Sequence, residues 1–196
     1  IDPDRTACHP GLVLHSSAVF FSCSPCGGAT PPPRAAHRCE RRGAGAPFFA
    51  YVSFIDPRQT TYNPPPPYDS LYGWEQVPAP QRRAGELDRK PPVQKSASEN
   101  LARLGLLPDE RRLRETVTQY YGSTSFVDHN VGRVLDALEQ EGLAQDTIVV
   151  FTVDHGELIG DHWLRLKGPW MYDLVTRVPM IWRWPGRLQA GTAPEE

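Results

Sequence analysis

The sequence predicts an α/β fold in which a mostly parallel central sheet is flanked by helices. The first observation is a pair of apolar, β-branched runs, FFAYVSF at 48–54 and TIVVFTV at 147–153, which are typical of buried strands. The second is a long helical pattern at 108–142 that leads directly into the later run. A helix joined by a short loop to a buried strand is half of a parallel α/β unit.

The first 46 residues lack the periodicity of either a helix or a strand, and the PPP at 31–33 excludes a helix there. All four cysteines fall in this segment, at Cys8, Cys23, Cys26 and Cys39. Their pattern leaves three states open, namely free thiols, a disulfide pair, and a zinc site that uses the CxxC at 23–26. We therefore predict an irregular Cys-, Pro- and Gly-rich segment at 1–46 and an α/β domain at 47–196.

The strand at 48–54 is nearly continuous in aromatic and β-branched residues, so we expect it to be buried on both faces. Four consecutive prolines within 61–67 then favour an extended surface chain. Polar, proline-punctuated sequence continues from 75 to 108. An excursion of this length in a compact domain usually covers or lines a site.

A long helix is predicted to begin at Pro108. Its apolar residues recur at three- and four-residue intervals, at Leu113, Val117, Tyr120, Tyr121, Val127, Val131, Val134, Leu135 and Leu138. Gly142 is expected to end this helix, while Gly122 and Ser123 in the middle of the pattern allow a kink or a break. A last strand is predicted at 178–184, and Pro179 places it near the edge of the sheet.

Asp154 and His155 are the leading candidates for metal ligands. They follow the buried strand at 147–153, and ligands of a parallel sheet bind beyond the carboxyl ends of its strands. A carboxylate and an imidazole there can reach one cation, while Gly156 permits a tight turn. The alternative is a simple turn in which the aspartate caps the next segment and the histidine lies on the surface. Lys167 would be well placed to hold an anionic oxygen of a phosphate or sulfate beside a cation, although an isolated lysine is usually solvated.

The run at 147–186, TIVVFTVDHGELIGDHWLRLKGPWMYDLVTRVPMIWRWPG, resembles the sulfatase family of the alkaline-phosphatase-like superfamily. FFAYVSFIDPRQTTYNPPPPY at 48–68 and FVDHNVGRVL at 126–135 are similar to pieces that precede that run in the family, in the same order. The resemblance implies that 47–196 is an incomplete domain, part of an alkaline-phosphatase-like sandwich.

The resemblance also implies roles for individual residues. Asp154 and His155 match a pair that helps to bind a divalent cation, which is usually calcium in sulfatases. Lys167 matches the basic residue that contacts the sulfate ester, and His162 lies in a GDH segment that lines the pocket in many relatives.

Two positions depart from the family pattern. The nucleophile of sulfatases is a formylglycine made from the Cys or Ser of a CxPxR motif. Cys23 is the candidate here, but Cys26 and Gly27 replace the small residue and the arginine of that motif. The family usually has a histidine after the proline of its SFxxPH segment, where this chain has Arg58. Arg58 can hold an anion but cannot act as an acid or base near neutral pH.

These residues imply a hydrolase of sulfate esters whose substrate is a sulfated small molecule or glycan. Since the nucleophile and half of the metal ligands are not recognisable, we expect a fragment without robust activity of its own. One alternative is a phosphodiesterase or phosphonate monoester hydrolase of the same superfamily, which uses a similar strand end with manganese, zinc or iron. Another is a non-catalytic remnant that binds partners through its proline-rich segments.

Charge and hydropathy narrow the range of partners. Lys and Arg total 21 while Asp and Glu total 23, for a net charge of −2, which disfavours nucleic-acid binding. No apolar run approaches the ~20 residues that span a bilayer. No signal peptide is recognisable, so the compartment stays open, as does the oligomeric state.

Overall fold

A computed structural model describes residues 15–23, 47–57 and 62–193, with the backbone alone for 15–23. Its strands are β1 (His15–Cys23), β2 (Phe48–Ser53), β3 (Thr147–His155) and β4 (Met180–Arg183). Its α-helices are α1 (Pro92–Arg103), α2 (Glu110–Gln140) and α3 (Asp173–Thr176). Short 3₁₀ helices occur at Tyr68–Ser70, Glu86–Arg89, Ala144–Asp146 and Asp161–Trp163.

The four strands form one sheet in the order β2-β1-β3-β4. β1 pairs with β2 in an antiparallel register that runs from Ala18↔Ser53 to Cys23↔Phe48, and β3 pairs with β4 in the same sense. The prediction of a mostly parallel sheet is therefore not confirmed by the described strands. An apolar run reports the burial of a strand and carries no information about the direction of its neighbours.

β2 is buried on one face, so the prediction of burial on both faces is wrong. The side chains of Phe48, Ala50 and Val52 are half-buried, whereas Phe49 is 60% exposed and Tyr51 is 40% exposed. This alternation is typical of an antiparallel sheet, whose strands can face water on one side. β4 is an outer strand of the described sheet, which confirms the predicted edge position.

β1 lies inside the segment predicted to be irregular, so that prediction is wrong for residues 15–23. The AVFF at 18–21 is typical of a strand, but the serines beside it and the proline-rich sequence around it obscure the apolar pattern by which a strand is recognised. Cys23 is the last residue of β1. The other three cysteines, and with them the disulfide and zinc alternatives, lie outside the described residues.

The chain divides into two compact units. Of the described residues, the first unit contains His15 and those within 56–126 and 154–178, and the second contains those within 16–55, 127–153 and 179–196. The core of the second unit consists of Leu138, Leu143, Ala144 and Val149, with the inward side chains of β2 packed against it. Each leucine or valine side chain among them contributes roughly 1.5–3 kcal/mol when it is fully buried.

The core of the first unit lies immediately after β3 in sequence. Leu158, Leu164, Trp170 and Val175 are buried together, and Ala97 and Leu101 of α1 pack against them. α1 therefore stands within the excursion at 75–108, where no helix was predicted. The excursion packs on the segment that follows Asp154 and His155, and its role in covering a site stays a prediction.

α2 runs without interruption to Gln140 and then ends as the sequence predicts. Gly142 has a φ of +68°, and its N–H donates to the carbonyl of Glu139 at 3.0 Å. The N–H of Leu143 donates to the carbonyl of Leu138 at 2.9 Å. These two bonds satisfy the last carbonyls of the helix, which is the arrangement that a terminal glycine favours.

Gly122 allows a close approach to α2, and no break occurs there. A Cβ atom at this position would lie 2.1 Å from the carbonyl oxygen of Tyr68 and 3.0 Å from Cγ of Pro64. The end of the proline-rich segment thus rests directly on the helix backbone. The ring of Tyr68 also contacts that of Phe126, with 5.4 Å between the centroids.

We predict that Gly122→Ala destabilises the protein by about 1–3 kcal/mol, because the added methyl group must displace backbone. Gly132→Ala is the matched control, since a Cβ there meets nothing within 4 Å and alanine favours a helix by about 1 kcal/mol. Urea unfolding followed by circular dichroism measures both changes. Equal unfolding midpoints for the two variants would show that the proline-rich segment does not rest on α2.

Candidate active site

Asp154 and His155 are the last two residues of β3, and their side chains lie together. Oδ2 of Asp154 is 3.5 Å from Nε2 of His155, while Oδ1 accepts the backbone N–H of His155 at 2.9 Å. The carboxylate is half exposed, whereas the imidazole is largely buried, with 14% of its side chain accessible. The strand end therefore presents a carboxylate oxygen beside an imidazole nitrogen.

The orientation of the His155 ring suits a metal ligand. Nδ1 lies 2.7 Å from the carbonyl oxygen of Gly156. Because a carbonyl only accepts hydrogen bonds, Nδ1 carries the proton and Nε2 of the neutral ring carries the lone pair. Histidine ligands of metal ions commonly donate their second ring N–H in this way, which fixes the tautomer.

The separation of the two donors also fits a shared cation. Metal–ligand distances of about 2.0–2.6 Å place neighbouring ligands of one ion roughly 3–3.6 Å apart. In the described part of the chain, no cluster of three or more His, Cys, Asp or Glu residues has the arrangement of a metal site. Asp154 and His155 thus form a two-donor set, and the carboxylate suits calcium while the imidazole suits transition ions.

The turn after β3 is held at successive residues. The N–H of Gly156 donates to the carbonyl of Val175 at 2.8 Å. Leu158 is fully buried, and its carbonyl accepts the N–H of Leu166 at 2.9 Å. These bonds fix the backbone that immediately follows the candidate ligands.

Glu157 lies in this turn and is 0% exposed. Its carboxylate is hydrogen-bonded to the hydroxyl of Tyr62, whose ring meets the ring of Tyr120 edge-on at 5.1 Å. Burial, together with the charge of Glu157, raises the pKa of Tyr62 well above its ordinary value. Burial also raises the pKa of Tyr120, with smaller effects from Tyr62 and Glu157. The sequence pattern assigns no role to this buried group.

His162 connects the GDHW turn to the excursion. Nδ1 lies 2.5 Å from Oε1 of Glu86, and the ring stacks on Tyr172 with 4.0 Å between centroids. Its backbone N–H donates to the carbonyl of Gln81 at 2.8 Å. The predicted contact of His162 with a sulfate stays a prediction. Glu86 was not identified from the sequence, because it lies 76 residues away and no local pattern marks it.

Residues next to His162 also bind the turn at 160–163 to the excursion. Oδ1 of Asp161 accepts the backbone N–H of Gln81 at 2.7 Å. Nε of Arg82 donates to the carbonyl of Gly160 at 2.8 Å, and its guanidinium lies 4.6 Å from the centre of the Trp163 ring. The turn at 160–163 is therefore an anchor for the residues at 81–86.

The structure describes the other three predicted site residues to different extents. Lys167 is exposed immediately before a turn, in which Gly168 has a φ of +48° and a Cβ would lie 2.2 Å from Nε1 of Trp170. Arg58 lies outside the described residues. The structure describes only the backbone of Cys23. The roles of Lys167, Arg58 and Cys23 stay predictions.

A mostly apolar cavity of about 160 Å³ lies in the first unit. Its walls include Pro78, Pro80, Tyr120, Ile159 and Asp161. Ligand pockets usually enclose about 300–1,000 Å³, so this cavity is too small for a sulfated sugar.

Comparison with known proteins gives concordant matches. The sulfatase family model matches residues 36–196. The arylsulfatase of Clostridium perfringens is 34% identical over 152 residues, which cover 77% of this chain and 30% of that protein. The chain thus spans less than a third of this relative's length.

Two solved structures are similar to the fold. The phosphonate monoester hydrolase SpPMH from Silicibacter pomeroyi matches with a TM-score of 0.55 and 30% identity, over 62% of this chain and 26% of that one. The phosphonate monoester hydrolase of Agrobacterium radiobacter matches with a TM-score of 0.57 and 27% identity, over 75% and 30%. Both neighbours are alkaline-phosphatase-like hydrolases.

Among the described helices, none combines the length and apolar character needed to cross a bilayer.

We predict that His162→Ala releases the excursion from the GDHW turn, because the variant loses both the Glu86 contact and the Tyr172 stack. Limited trypsin digestion followed by mass spectrometry should show cleavage after Arg83 and Arg89 at least five-fold faster than in the unaltered chain. His129→Ala is the control, since that histidine is exposed on α2. Unchanged cleavage in His162→Ala would contradict the anchoring role.

Proposed function

Because this chain belongs to the sulfatase family, we propose that it supplies the cation-binding and anion-binding part of a sulfate ester hydrolase site. Asp154 and His155 hold a divalent cation, and Lys167 holds an anionic oxygen of the ester. The observation that carries the proposal is the strand-end pair, with a carboxylate oxygen 3.5 Å from an imidazole nitrogen whose ring is already oriented. The substrate in this proposal is a sulfated small molecule or glycan.

The proposed cation is calcium, with manganese, zinc or iron as alternatives. Members of this family and the related phosphonate hydrolases generally use a divalent metal. When bound, such a cation neutralises negative charge on the ester oxygens and polarises them. Asp154 contributes a carboxylate oxygen, and the Gly156 carbonyl keeps His155 in the tautomer that presents Nε2.

Positive charge is the central requirement for this substrate. A sulfate ester is an anion and repels nucleophiles, so preorganised cationic groups around its oxygens lower the barrier. Lys167 and Arg58 are the basic side chains proposed for this task. His162 contributes to it as a protonated imidazolium, which donates Nε2–H to the ester while Nδ1–H is engaged by Glu86.

The nucleophile motif of the family is incomplete in this chain. Cys23 is the candidate, but Cys26 and Gly27 stand where the formylglycine motif requires a small residue and an arginine. We therefore expect the 196-residue chain to bind a cation without robust turnover of a sulfate ester.

A phosphonate or phosphate ester is the second candidate substrate. Both similar solved structures are phosphonate monoester hydrolases, and a cation with basic side chains serves a phosphonate as well as a sulfate. The third candidate function is that of a non-catalytic protein that keeps the fold. This hypothesis predicts that the chain has no cation site.

The cation site is tested by calorimetric titration of the chain with Ca²⁺ and Mn²⁺. Asp154→Asn and His155→Ala should each weaken binding at least ten-fold, since each removes one donor. Asp136→Asn makes the same charge change at an exposed position of α2 and should leave the affinity unaltered. Failure of the unaltered chain to bind either cation would favour the non-catalytic reading.

Turnover is tested after co-expression with a formylglycine-generating enzyme, with calcium present. An aryl sulfate and an aryl phosphonate monoester serve as paired substrates, and we expect robust hydrolysis of neither. Sulfate hydrolysis that Cys23→Ala abolishes would overturn this expectation and identify the nucleophile. Under those conditions Lys167→Ala should raise KM, and preferred hydrolysis of the phosphonate would establish the second candidate.

A further inference from the structure

We propose that Glu157, through its hydrogen bond to Tyr62, is a positioning residue that fixes the side chains of Asp154 and His155. It touches neither the substrate nor the cation, and it acts through the backbone of the turn that follows β3. The inference rests on the proposed function, since it concerns the same strand end.

The burial of Glu157 is the first reason. Removing a carboxylate from water costs several kcal/mol unless hydrogen bonds and opposite charge compensate for it. Glu157 is 0% exposed, and the Tyr62 hydroxyl donates to it. Such a bond holds both partners in one geometry, because either one alone would be a poorly solvated polar group.

The second reason is the short connection from Glu157 to His155. Gly156 is the single residue between them, and its carbonyl accepts Nδ1 of the imidazole at 2.7 Å. Its N–H is bonded to the carbonyl of Val175. The peptide that joins Gly156 to Glu157 therefore carries the oxygen that sets the tautomer of His155. A change in the position of Glu157 rotates this peptide.

The third reason is the rigid support behind Tyr62. Its ring packs edge-on against Tyr120, which is fully buried in α2. Burial raises the pKa of Tyr120, and the charges of Glu157 and Asp154 add smaller contributions in the same direction. A ring packed against a rigid helix is held more accurately than one supported by a loop alone.

A purely structural role for Glu157 is the competing explanation, and it predicts a loss of stability without a change at the imidazole. Tyr62→Phe separates the two explanations, because it keeps the ring that packs on Tyr120 and removes only the hydroxyl. Glu157→Gln keeps the shape of the side chain and removes its charge. Tyr72→Phe is the matched control, since it removes a hydroxyl bonded to Ser125 on the same helix at 2.8 Å.

The imidazole nitrogens are observed by NMR in the metal-free chain, which makes this measurement independent of any cation. Tyr62→Phe and Glu157→Gln should shift the ring resonances of His155 and mix its two tautomers, with His129 and His162 unaltered. Tyr72→Phe should alter none of the three. An unchanged His155 spectrum in a folded Tyr62→Phe variant would overturn the proposal, even if Glu157→Gln does not fold.

Cation affinity gives the second measurement. Groups that orient a ligand typically change affinity 10- to 100-fold, so we expect about a ten-fold loss in Tyr62→Phe and none in Tyr72→Phe. Affinity unaltered in Tyr62→Phe, in a chain that binds the cation, would also overturn the positioning role. A perturbed His155 in a chain that binds no cation supports the positioning role and contradicts the proposed function.

Discussion

The first compact unit depends on satisfying one buried carboxylate. Glu157 is fully enclosed three residues after Asp154, so a donor must reach it from elsewhere in the chain. Tyr62 supplies that donor, and it stands at the start of the proline-rich segment. The same segment then crosses α2 at Gly122, where the backbone of Tyr68 leaves no space for a Cβ. The bond to Glu157, the close approach at Gly122 and the ring contact with Tyr120 thus all involve this one segment.

Local periodicity predicts those parts of the fold that depend on neighbouring residues. α2, its end at Gly142 and β3 are confirmed, because apolar spacing and a terminal glycine act over a few residues. The direction of strand pairing depends on partners distant in sequence, and the β1–β2 and β3–β4 pairs are antiparallel. β1 was missed because its short apolar centre lies in a proline-rich context that suggests no regular structure.

The candidate site shows the same division. Asp154 and His155 adjoin each other in sequence and at the strand end, so a local motif is enough to find them. The partners that orient this region come from far along the chain, as Tyr62 does for Glu157 and Glu86 does for His162. No spacing rule connects such residues, since burial and side-chain geometry select them only after the chain has folded. Motif recognition therefore finds the groups that act directly and overlooks those that hold them.

The outer strand β4 affects the behaviour of this chain in solution. Met180, Ile181 and Trp182 are each more than half exposed on an outer strand of the described sheet. Outer strands with apolar side chains are templates for pairing with other chains, and they lead to aggregation. Pro179 removes a backbone donor just before β4, and Arg183 at its end pairs with Glu139. A proline before the strand and a charged residue at its end flank the three apolar residues in the way that gatekeeper residues do, and such residues oppose intermolecular sheet growth.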